Sequence, residues 1–159
     1  MDEWQKDIEY MSIVQDLLAR PEVKKLANYT QHHNSDRLSH SIDVSYRSYK
    51  IAKKFKLDYI STARAGLLHD LFYYDWRKVK FALGTHAYVH PRIALRNAEK
   101  ITDLNDKEKD IIIKHMFGAT IAPPKYLESW IVSLVDDYSA QREFFQPIRE
   151  NMKRRFEIA

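Results

Sequence analysis

The chain has 159 residues, 45% hydrophobic and 30% charged, with a formal net charge of +4 and no cysteine. That length fits one domain and buries roughly 70% of its unfolded surface. The missing cysteines exclude disulfides and thiolate metal sites and suggest a reducing, cytoplasmic setting; no apolar run reaches the ~18 residues of a membrane span, and Met1-Asp2-Glu3-Trp4 does not read as a signal peptide.

With three glycines and five prolines, the chain has little material for turns, so long helices are expected rather than many short strands. A first helix is expected over 3–19, with Trp4, Ile8, Met11, Val14 or Gln15, and Leu18 at helical spacing. Pro21 restarts the chain into a short helix over 22–28, followed by a polar loop, Thr30 to Ser35, with His32 and His33 exposed in it. Ser35 or Asp36 caps a long helix over 36–56. Leu38, Ile42, Ser45, Tyr49 and Ala52 line one of its faces, and His40, Val44, Ile51 and Phe55 a second. Two apolar faces predict a central helix.

Asp58 caps a helix over 59–72 that ends around His69-Asp70. Phe72, Tyr73, Tyr74 and Trp76 follow as an aromatic segment, read as core packing or a lid in preference to a base-stacking surface. Gly84 breaks the chain, and His90-Pro91 predicts a helix start that buries Ile93, Ala94, Ala98 and Ile101. Asn105 caps the next helix, on whose buried face His115 follows Ile111 and Ile112. Pro123-Pro124 opens the last long helix, with Leu127, Ile131, Leu134 and Tyr138 as its stripe and Asp136 on a neighbouring face. Pro147 is expected to end or kink it before a basic helix carrying Lys153-Arg154-Arg155. No strand pattern is apparent. The expected fold is therefore an all-α bundle of roughly six to eight helices, forming a single domain over 1–159.

His40, His69, Asp70, His90, His115 and Asp136 all fall in apolar helical settings. An unpaired buried carboxylate costs several kcal/mol unless a cation offsets it. Imidazole beside carboxylate suits a divalent metal: Fe, Mn, Ni, Co, Mg or Zn. One ion is placed on His40, His69, Asp70 and Asp136, and a second on His90 and His115, with Asp70 bridging. Two dications less two carboxylates leave a positive site that attracts phosphate and acidifies a bridging water.

The order His…His-Asp…His…His…Asp resembles the HD-domain metal-dependent phosphohydrolases. Three segments carry the likeness: Arg37-Leu38-Ser39-His40-Ser41, Leu67-Leu68-His69-Asp70 and Leu134-Val135-Asp136-Asp137-Tyr138. It covers about residues 30–145. It implies an all-helical fold, metal ligation by His40, His69, Asp70 and Asp136, catalysis centred on His69 and Asp70, and a second ion at His90 and His115. Many members carry a lysine shortly after the His-Asp pair; here Tyr73 stands in that place, and Arg77 or Lys78 is the candidate replacement. His86 and Arg142 are further candidates for touching substrate.

The expected function is hydrolysis of a small phosphorylated compound, a nucleotide by preference, through attack of a metal-bound hydroxide on phosphorus. One alternative is symmetrical hydrolysis of dinucleoside tetraphosphates, suggested by Tyr138-Ser139-Ala140-Gln141-Arg142-Glu143-Phe144. Another is a non-catalytic regulatory or binding module of the same fold. A small phosphorylated partner is expected and no membrane. Nucleic-acid binding is disfavoured despite the basic tail, and a homodimer is allowed.

Overall fold

The computed structural model describes residues 2–32, 35–82 and 84–157, and the side chains among them other than those of 32 and 146–157. Eight α-helices run through the described residues: α1 (Glu3–Lys6), α2 (Ile8–Ala19), α3 (Pro21–Lys24), α4 (Arg37–Lys54), α5 (Tyr59–Leu68), α6 (His86–Ile101), α7 (Asp106–Lys114) and α8 (Leu127–Glu157). The fold is all-α, as the glycine and proline counts predict. No described helix is long and apolar enough to cross a membrane.

Side-chain caps set where the helices begin. The backbone N–H groups of Tyr10, Ser39 and Ser61 donate to Asp7, Asp36 and Asp58 at 2.9–3.0 Å. At α7, Asn105 and Glu108 exchange backbone-to-side-chain bonds at 2.8 Å, a reciprocal capping box. Asp7 explains why the expected 3–19 helix is two pieces: its backbone is extended (ψ 96°) and its carboxylate starts α2 afresh. The buried face of α2 is then Tyr10, Val14 and Leu17, while Ile8 is 86% exposed.

Helix α4 is central, packed against α5 on one side and α8 on the other. Ile42, Ser45, Tyr49 and Ala52 are buried as expected, and so are His40 and Val44, but Ile51 is half-buried and Phe55 is 66% exposed. The α4–α5 contact is close because its residues are small. A Cβ on Gly66 would lie 3.0 Å from the Ser45 Cα. The Ser45 hydroxyl donates to the Ala63 carbonyl and accepts from the Tyr10 hydroxyl.

Other expectations needed correction. The polar loop contains a short antiparallel ribbon, β1 (Thr30–His32) with β2 (Ser35–Asp36), strands too short to carry an alternating pattern. Helix α5 stops at Leu68, so His69 caps its end. Helix α6 starts a turn before His90-Pro91, after Gly84 (φ 86°) and Thr85, and holds Pro91 inside it. Proline there loses its own ladder bond and crowds the Ala87 carbonyl, yet the helix runs on through it. Helix α8 begins after the proline pair and runs on through Pro147 to Glu157. Three of its four expected stripe residues face outward, Leu127 and Leu134 at 64% exposed and Tyr138 at 55%, while Ile131 is half-buried against the core. The buried face is Ser129, Val132, Ser133, Val135, Asp136 and Ser139. Its serines donate inward to Asp110, the His115 carbonyl and Asp43. The reading of His32 and His33 as exposed and the basic tail's side chains lie outside what the structure describes.

Candidate metal centre

Five helices supply the six residues. His40 comes from the first turn of α4, His69 and Asp70 from the end of α5, and His90 from the second turn of α6. His115 caps the end of α7, and Asp136 lies on the buried face of α8. All six are buried, the most exposed being Asp136 at 8%.

The ring orientations follow from where each Nδ1 goes. His69, His90 and His115 stand within hydrogen-bond reach of the Gly66, His86 and Ile112 carbonyls, at 2.7–2.8 Å. His40 reaches the Glu143 carboxylate at 3.0 Å. A carbonyl or carboxylate only accepts, so each Nδ1 carries a proton and each ring turns its Nε2 inward, the nitrogen left to meet a cation. His40 Nε2 lies 2.9 Å and His69 Nε2 3.5 Å from Asp136 Oδ1. Asp70 Oδ1 stands 3.2 Å from His90 Nε2 and 3.6 Å from His115 Nε2, while its Oδ2 lies 3.8 Å from His69 Nε2. Donor atoms of His40, His69 and Asp136 thus lie within 4.8 Å of one another, as do those of His69, Asp70 and His115.

Two observations test whether this set suits a metal. His90 Nε2 and His115 Nε2 face each other at 2.8 Å although both rings hold their proton on the far nitrogen. Two lone pairs at that distance repel unless a cation, a shared proton or a metal ion, lies between them. Also, among the described residues, His69 Nε2 and Asp70 Oδ1 are buried without a hydrogen-bond partner. Orphaned donors of this kind are costly in a dry interior and ordinary when they coordinate. Imidazole and carboxylate are borderline-to-hard ligands, so the set fits first-row divalent ions.

Charge in the cluster is unevenly spread. Burial opposes the imidazolium of His40, but Asp136 and Glu143 outweigh it and raise the group to about 10. His69 is raised in the same way by Asp70 and Asp136. Burial, with His90 and His69 beside it, pushes His115 down to about 3. Burial also opposes ionisation of Asp70 and Asp136, yet the imidazoles hold both well below the usual carboxylate range.

Sequence reasoning missed the residues that hold these groups in place. Asp70 Oδ2 accepts from Gln31 Nε2 at 2.6 Å. Gln31 Oε1 accepts from Arg37 Nε at 2.8 Å, and Arg37 also donates to the Phe72 and Tyr74 carbonyls. Arg37 is wholly buried, stacked 3.6 Å over Phe72. One signal was available: a cation in the first turn of a helix opposes the helix dipole, so something else must hold it there. Gln31 carried none, since only the ribbon delivers it. Glu143 lies seven residues after Asp136, about two helical turns, and was within reach of a spacing argument.

The candidate substrate residues divide. His86 is the first residue of α6 and not a loop residue; it stacks on His90 at 4.3 Å, with Trp76 beside it at 5.4 Å. Burial and His90 push it down to about 4. Arg77 donates to the Gln31 carbonyl at 3.0 Å, next to the Asp70 relay. Lys78 lies outside the buried cluster, 82% exposed beside Asp75. Arg142 pairs with Asp43 at 3.5 Å on the wall of a cavity of about 770 Å³ that also touches His40, Tyr46, Tyr138 and Glu143. Tyr73, in the family's lysine position, donates to the Glu22 carbonyl. Phe72 is core, as expected.

The family model of the HD domain matches residues 37–141. No curated protein and no solved structure matches the chain.

Proposed function

The chain belongs to the HD-domain family, and from that premise we propose that it hydrolyses a small phosphorylated compound, a nucleotide by preference, with two divalent ions. His40, His69, Asp70 and Asp136 would hold one ion; His90 and His115 would hold the other, sharing Asp70. The observation that carries the reading is the inward convergence of four Nε2 atoms and two carboxylates, with His90 and His115 Nε2 only 2.8 Å apart. Bound divalent ions supply charge neutralisation at phosphorus and lower the pKa of a coordinated water.

The protein's own groups do the rest. The Arg37–Gln31 relay fixes the Asp70 carboxylate rotamer. Backbone carbonyls hold the Nδ1 protons of His69, His90 and His115, so these rings keep one orientation through turnover. Arg77, exposed and tied to the Gln31 carbonyl, would be the cation that meets a phosphate approaching Asp70. His86 stays neutral near pH 7 and can donate or accept beside His90.

A turnover screen of mononucleotides, cyclic nucleotides and dinucleoside polyphosphates with Mn²⁺, Fe²⁺ or Co²⁺ tests the proposal. Phosphate-bond hydrolysis is expected in at least one class, with Asp70→Asn lowering kcat/KM by ~10³-fold, about 4 kcal/mol of transition-state stabilisation. If the metal-loaded protein turns over none of the three classes, the proposal fails.

A further inference from the structure

We propose that Glu143 is the positioning residue of the cluster: its carboxylate accepts a hydrogen bond from the Nδ1–H of His40 and so fixes which nitrogen faces inward. The inference rests on the reading that His40 Nε2 meets a divalent ion. The other three histidines settle their tautomer locally, each against a carbonyl three or four residues earlier. His40 is the fourth residue of α4, with no complete turn before it, and its Nδ1 goes instead to Glu143 Oε1 across 103 positions of sequence. Glu143 and Asp136 come from one helix, two turns apart, and hold the His40 ring from its two nitrogens at 3.0 and 2.9 Å. The second oxygen of Glu143 accepts from the Ser35 hydroxyl, which ties the carboxylate to β2. Glu143 lies just beyond the segment 37–141 that the family model matches.

The test uses the full chain, labelled with ¹⁵N-histidine and loaded with Zn²⁺ alone. In the wild type, a slowly exchanging Nδ1–H signal from His40 and retained zinc are expected. Glu143→Gln keeps an acceptor oxygen, so it keeps that signal with a small loss of affinity. Glu143→Ala loses or broadens the signal and lowers zinc affinity 10–100-fold in chelator competition. The proposal is overturned if Glu143→Ala, folded by circular dichroism, keeps both the signal and an affinity within threefold of wild type. Loss of affinity in Glu143→Gln equal to that in Glu143→Ala also overturns it, because charge alone would then explain the effect. A wild-type chain that takes up no zinc at all overturns the metal reading beneath it, a result separable from both of these.

Discussion

His40 shows how much one side chain's surroundings decide. Its ring is buried between two carboxylates, and its raised value of about 10 exceeds the ordinary imidazole value of about 6.5. A group whose folded pKa is raised contributes stability that is complete below the unfolded value and disappears as pH climbs through the folded one. Chelator-treated protein should therefore lose stability between about pH 6.5 and 10, and His40→Gln should flatten that slope. Urea unfolding at several pH values measures it; a wild-type slope matched by the variant would refute the assignment. The six clustered residues were legible in the sequence because each interrupts an apolar helical pattern with a group that burial penalises. Gln31 was not, and Arg37 and Glu143 carried only the weaker signals of a first-turn cation and a two-turn spacing from Asp136. Their roles depend on the ribbon and on the length of α8, which bring together positions 31 and 70, and 40 and 143.

Among the elements, the α4–α5 pair sets the distance between His40 and His69. Gly66 permits the approach, and its carbonyl also orients His69. Gly66→Ala gains about 1 kcal/mol of helix propensity and loses about 1–3 kcal/mol to overpacking against the Ser45 backbone. The expected net result is a modest destabilisation, larger for Gly66→Val, with weakened metal uptake in both. Thermal unfolding together with metal titration checks this; an unchanged Tm in Gly66→Val would contradict it. Helix positions were readable from caps and periodicity, as Asp36, Asp58 and Asn105 show. Faces were less so. On α8 Leu127, Leu134 and Tyr138 point outward, because close packing against its neighbours favours serine and because Asp136 must face inward. Pro91 misled for a related reason: a proline marks a helix's early turns but does not say which residue comes first.

At the scale of the molecule, fold and cluster depend on each other. Ligand atoms drawn from α4 to α8 can meet only when the core is assembled, so a bound ion adds its binding free energy to folding. Metal removal should therefore lower Tm by several degrees, in proportion to the affinity lost. The central claim is that these buried donors enclose a pair of divalent ions. Anomalous scattering from a crystal grown with Mn²⁺ tests it most directly. The expected map has one peak among His40, His69, Asp70 and Asp136 and another among His90, His115 and Asp70. A map with no peak at either set of donors would contradict the account.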